Sequence, residues 1–187
     1  MASLAPVQRR VRLRSQDYLQ LDEAGAFEPY GKTELLDGEI VYMNAQHRPH
    51  ARLKMALYDA LRAGLADAGS SLAVMVEASI ALGEHDVPEP DITVTSDPDG
   101  EGLIPVAAVA LVIEVADATL RSDLEKKARL YARAEVPEYW VADLRGRIVH
   151  RLTVPSAGTY THHDEIAFGQ SVVAVTVPGL TVATTGL

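Results

Sequence analysis

Two acidic side chains stand where the surrounding pattern calls for apolar ones. Glu114 lies inside Leu111-Val112-Ile113-Glu114-Val115, the strongest buried-strand signal in the chain. A carboxylate in such a strand is costly unless it is paired or holds a cation. Asp91 opens Asp-Ile-Thr-Val directly after a loop containing Pro88 and Pro90, whose rings restrict the approaching backbone. If the two strands are neighbours, both carboxylates meet at one end of a sheet. Two hard oxygen donors with no sulfur suit Mg2+ or Mn2+ better than zinc. Asp123, Lys127 and Tyr131 follow at intervals of four, which places them on one helical face. Tyr131 would anchor that face in the core, and Lys127 at its boundary would reach back over Glu114. A cation beside two metal-binding carboxylates is the set that phosphoryl chemistry requires: a metal polarises the phosphate and activates water, and an ammonium stabilises added negative charge.

These residues need elements to position them. Residues 15–25 read as a short helix with Ser15 as N-cap and Gly25 as its stop. Asp37-Gly38 marks a hairpin turn between two alternating runs. Leu53, Ala56, Leu57, Leu61 and Leu65 recur at helical spacing over 49–68, and Gly69 ends the pattern. Strands are expected at 72–82, 91–96, within 106–117 and at 138–143, with a helix over 120–134 between the last two. Three further runs, beginning at Arg147, Glu165 and Ser171, read as a C-terminal antiparallel set. The pattern predicts one α/β (α+β) domain over 1–187, built on a mixed sheet flanked by helices, with residues 1–10 disordered.

The ordered set of motifs resembles a known family. Glu-Leu-Leu-Asp-Gly-Glu-Ile-Val-Tyr-Met from Glu34, a histidine ahead of a long helix, Pro-Asp-Ile-Thr-Val, Leu-Val-Ile-Glu-Val, Asp-x-x-x-Lys-x-x-x-Tyr and Val-Pro-Glu-Tyr-Trp-Val-Ala-Asp occur in the order found in bacterial putative restriction endonucleases. That family was long catalogued as a domain of unknown function and belongs to the PD-(D/E)XK nuclease superfamily. The resemblance implies a restriction-endonuclease-like fold with an N-terminal hairpin and Mg2+-dependent cleavage of DNA. It implies Asp91 and Glu114 as metal ligands and Lys127 as the catalytic lysine, supplied from the helix because Ala116 stands two residues after Glu114. It also makes Glu34 an acid that approaches the same centre, and His50, which matches the histidine of the family, a candidate substrate contact.

Plainer readings stand beside these. Glu114 could pair with a surface lysine, Asp91 could close a turn, Lys127 could be a solvated helix lysine like Lys126, and Glu34 could face solvent. His162 and His163 look like a metal pair, but adjacent strand residues point to opposite faces. Tyr139 and Trp140 read as core and strand-edge packing. Arg121, Lys126, Arg129 and Arg133 could form a phosphate-facing stripe, with Arg121 and Arg129 as substrate contacts. Arg9, Arg10, Arg12 and Arg14 form a second candidate patch.

Composition bounds the function. The chain has 187 residues, no cysteine and a formal net charge of −9. A disulfide framework, a thiolate zinc site and a cysteine nucleophile are thereby excluded. Bulk charge does not favour coating nucleic acid, so DNA binding would be weak and confined to low salt. No apolar run reaches a membrane span. The start of the chain lacks the apolar core of a signal sequence, which points to the cytoplasm. A homodimer would fit cutting of both strands. The competing reading is a nuclease-fold module with little or no cutting, acting in protein or nucleic-acid interaction. A small-nucleotide phosphohydrolase would favour a Gly-rich phosphate loop, which is absent.

Overall fold

A computed structural model describes residues 10–43 and 45–187. The expectation for residues 1–9, and Arg9 with them, lies outside the described residues. The architecture follows from near-continuous burial along one strand, β7 (Val109–Ala116). Leu111, Ile113 and Val115 belong to one hydrophobic cluster, and Val112 and Ala116 to another on the opposite face. A strand buried on both faces must be central. It lies inside a six-stranded mixed sheet of order β10-β9-β8-β7-β5-β3. Its parallel neighbour is β8 (Glu138–Asp143) and its antiparallel one β5 (Ile92–Thr95). The remaining members are β3 (Ala73–Val76), β9 (Ile148–Ser156) and β10 (Thr159–Ala167).

One face is covered by α2 (Arg48–Asp67), whose Leu53, Leu57, Leu61 and Leu65 are all buried. Full burial of each such leucine stabilises by about 1.5–3 kcal/mol. The strand pair β11 (Ser171–Val173) and β12 (Thr181–Ala183) adds Val172 and Val182 to this cluster. The other face is covered by α3, a helix over 120–133. Its Ala128, Leu130 and Tyr131 pack on Val112, Tyr139, Val141 and Leu152. The preceding helix α1 (Ser15–Glu23) packs Tyr18 against Phe27, Leu35 and Val87. The hairpin of β1 (Thr33–Leu36) and β2 (Glu39–Tyr42) turns through Asp37 and Gly38, whose φ values of 55° and 76° are those of a two-residue primed turn. Two short strands, β4 (Ile80–Ala81) and β6 (Ile104–Pro105), pair in parallel beside it.

Several elements differ from the sequence expectation. Helix α1 is capped by Arg14, not Ser15: the Asp17 carboxylate accepts from the Arg14 backbone N–H at 3.2 Å, and Ser15 Oγ donates instead to the Gly83 carbonyl. The run 72–82 is two strands, because Glu77 takes a φ of +52° and breaks the ladder between β3 and β4. Strand β10 starts at Thr159, well before Glu165, since cross-strand pairing with β9 extends the polar run. Strand β12 was not foreseen. Helix α3 contains a π turn at Asp123–Lys127, where the pattern indicated regular α geometry.

Candidate active site

Four elements converge at one end of β7. Ile92 pairs with Ile113, so one step further along the ladder Asp91 stands beside Glu114. Both side chains are buried, with relative exposures of 6% and 5%. The π turn carries Lys127 over Glu114, with Nζ 2.8 Å from Glu114 Oε1. The same ammonium lies 3.2 Å from Oε1 of Glu34 on β1. Glu34 is buried, so the reading of it as a solvent-facing residue is excluded. Its Oε1 also accepts the backbone N–H of Glu89 at 2.9 Å. Tyr131 Oη donates to Glu114 Oε1 at 3.1 Å from the core side.

Asp91 has its own shell. The N–H of Val115 donates to Oδ2 at 2.9 Å, and His50 Nε2 lies 3.1 Å from the same oxygen. Oδ1 is 3.3 Å from Lys54 Nζ and accepts from Gln46 Nε2 at 3.2 Å. Lys54 in turn bonds Gln46 Oε1 and pairs with Glu77, which Lys32 also reaches. Lys54, Gln46 and Glu77 were not anticipated. Lys54 carried a readable signal: His50 and Lys54 are four apart on α2, and Lys54 interrupts its leucine stripe at a position that must be buried. Gln46 and Glu77 lie in irregular backbone with no periodic signal.

Electrostatics separate the two acids. Burial pushes the Glu114 carboxyl up to about 8, with Lys127 opposing the shift and Asp91, Asp123 and Glu34 adding to it. Burial works against Lys127 too, but Glu114 and Glu34 outweigh it and hold the ammonium well above its ordinary value. Burial would raise Asp91 as well; His50, the Val115 N–H and Lys54 reverse the sign and hold it below the usual carboxylate value. Asp123, also buried, is raised by desolvation.

These side chains line a cleft of about 640 Å³ shared by Glu34, His50, Asp91, Glu114, Asp123 and Lys127. Ser122 and Lys126 lie at its wall as well, with Lys126 exposed. Arg121 and Arg129 do not line it. Arg121 is exposed and pairs with Glu125 at 3.1 Å, and Arg129 is exposed on the helix surface. Of the N-terminal arginines, the three among the described residues each pair with an acid: Arg10 with Glu39, Arg12 with Asp37 and Arg14 with Asp17. Tyr139 and Trp140 are fully buried on a central strand rather than at an edge.

Buried acids on adjacent strands, with an ammonium set on one of them, can hold a divalent cation and present positive charge to a phosphate. A mixed sheet flanked by helices, with this cleft at the strand ends, is a restriction-endonuclease-like fold. It matches the crystal structure of a putative nuclease of DUF820 from Anabaena variabilis ATCC 29413, with a TM-score of 0.62 over 82% of this chain and 88% of that one, at 17% identity. The chain belongs to the Uma2 family, described as putative restriction endonucleases, which matches residues 15–185. No curated protein matches it. Among the described residues no helix is long and apolar enough to cross a membrane.

Proposed function

We propose that this chain is a Mg2+- or Mn2+-dependent endonuclease that hydrolyses phosphodiester bonds in DNA. The observation that carries the reading is the convergence of Glu34, Asp91, Glu114 and Lys127 in one cleft of a nuclease-family fold. The donor set fits a hard divalent cation: Asp91 and Glu114 offer carboxylate oxygens, and no thiolate is present. Bound there, the ion would supply Lewis-acid charge to the phosphate and lower the pKa of a water.

The remaining roles belong to the chain itself. Asp91 is kept ionised and oriented by His50, Lys54 and the Val115 N–H. Lys127 stays protonated and donates toward the phosphoryl oxygens as charge builds on them. Glu34 steers Lys127 from the other side, and Tyr131 fixes the Glu114 carboxyl. Exposed Lys126 at the cleft wall offers a backbone phosphate contact. Cutting a duplex through both strands would take two copies of the chain.

One observation favours a second reading, a nuclease-fold module with little cutting. The acids are already balanced by Lys127 and Lys54, and Ala116 stands two positions after Glu114 on the strand. Plasmid nicking at low salt separates the two. The endonuclease reading expects cutting with Mg2+ or Mn2+ that a chelator abolishes. Lys127→Ala should reduce the rate by about 10²–10³, the usual cost of removing one transition-state donor. Lys126→Ala should change it far less. Equal losses in the two variants would reduce the helix to a binding patch, and absence of cutting with either ion would favour the interaction module.

A further inference from the structure

A second cluster of metal-ligating side chains lies away from the cleft, on the outer hairpin of the sheet. His150 on β9 stands directly opposite Glu165 on β10. His163, two residues before Glu165, therefore shares the same face of the hairpin. His150 Nδ1 is 3.1 Å from His163 Nε2 and 3.6 Å from Glu165 Oε1. Among the described residues this is the only group of three His, Asp or Glu side chains whose donor atoms all lie within 4.8 Å of one another. His162, by contrast, turns to the opposite face and meets Thr161 Oγ1 at 3.1 Å. The two adjacent histidines are thus not a pair; His163 finds its partner across the strands.

The separations also suit a shared ion, which would take the place of the hydrogen bond between the two imidazoles. Zn–N bonds of about 2.0–2.1 Å in a tetrahedron place neighbouring ligand atoms about 3.3–3.4 Å apart. The separations of 3.1 and 3.6 Å bracket that value. The chemistry of the set is also different from that of the cleft. Two imidazoles and one carboxylate are the ligands of zinc and its borderline neighbours, whereas Mg2+ selects all-oxygen sites. His150 is buried, and its Nε2 has no hydrogen-bond partner, so nothing on that side commits the ring to the tautomer that would block Nδ1. His163 and Glu165 are exposed, which leaves a path for the ion and an open coordination position for water.

We propose that His150, His163 and Glu165 form a second metal site, which takes Zn2+ or a similar borderline divalent ion through two imidazole nitrogens and one carboxylate oxygen. The ion ties β10, the outer strand of the sheet, to β9. The site does not touch the acidic cleft, so its fate is independent of the nuclease reading.

Calorimetric titration of the full chain with Zn2+, alongside thermal melts, tests it. His163→Ala and Glu165→Ala change exposed residues and leave the core intact. Asp91→Asn serves as the control for ions held in the cleft. At a hundredfold excess over Kd, Zn2+ should raise the wild-type Tm by roughly 5–10 °C. His163→Ala should lose one bound ion per chain and most of that rise, and Asp91→Asn should keep both. Mg2+ at the same concentration should leave the difference between wild type and His163→Ala unchanged. Equal Zn2+ stoichiometry in wild type and His163→Ala would overturn the proposal. So would no Zn2+ binding at all.

Discussion

Glu114 and Glu138 are both buried acids on neighbouring central strands, and their partners differ in kind. Glu138 is fully enclosed, but Trp140 Nε1 donates to one oxygen at 2.7 Å, while the N–H groups of Val175 and Thr176 and the Thr176 hydroxyl donate to the other, each at 2.8 Å. Its job is to staple the segment after β11 to the sheet. Glu114 faces a cleft, an ammonium and three other acids. The strand pattern presents the two glutamates alike, so burial in an apolar run does not by itself separate chemistry from stapling. What singled out Glu114 was its company, Pro90-Asp91 before it and Lys127 after it. The difference has a pH signature. A carboxyl with an ordinary value of 4.5 that sits at about 8 when folded binds a proton that the unfolded chain has already lost. Its contribution to stability therefore declines as pH rises from about 4.5 to about 8, then levels off. Glu114→Gln removes that decline. The Tm of Glu114→Gln minus that of wild type should climb between pH 5 and pH 8 and flatten above; a flat or falling difference would mean that Glu114 titrates as an ordinary acid.

Elements were legible where periodicity is strong and obscure where backbone departs from it. The leucine stripe announced α2, the apolar run announced β7, and Asp-Gly announced the hairpin. The break at Glu77 was hidden, because a positive φ at a glutamate leaves no mark in composition. So was the π turn of α3. Asp123 and Lys127 share a face of a regular helix at their spacing of four, and the wider turn keeps both at the cleft. Such turns are rare and are found mostly at functional sites. Another contact invisible in the sequence is that between α2 and β12. A methyl added to Gly64 would come within 2.6 Å of the Thr181 carbonyl oxygen and 2.8 Å of Leu180 Cδ1. Alanine is about 1 kcal/mol better than glycine in an unhindered helix. Here the clash is with backbone, and overpacking costs about 1–3 kcal/mol. Gly64→Ala should therefore be destabilising despite its helix propensity, seen as a lower urea midpoint. A higher midpoint would mean that β12 yields easily and that α2 is not fixed by this approach.

At the scale of the whole molecule, charge sets the terms of any encounter with DNA. The net charge of −9 opposes a polyanion, and several exposed arginines are paired with acids. The few phosphate contacts left must work against that background field. Binding and nicking should be so weak at 50 mM salt that even a shallow slope of log affinity against log salt, set by the few phosphates neutralised, takes both below detection at 200 mM. Binding that persists at 200 mM would point to recognition by base or shape contacts instead.

The order of the acids and the lysine along the chain has one more consequence. Glu34 and Lys127 are 93 residues apart in sequence, and Glu114 is enclosed only when β8 has joined β7 in parallel. A growing polypeptide leaves the ribosome with its hairpin, α2 and Asp91 already made, while the lysine and the strand that encloses Glu114 are still untranslated. The cleft is thus completed late: a chain cut short before Lys127 carries Glu34 and Glu114 without the ammonium that bridges them, and one cut short between Lys127 and Glu138 has that ammonium but lacks the strand that encloses Glu114.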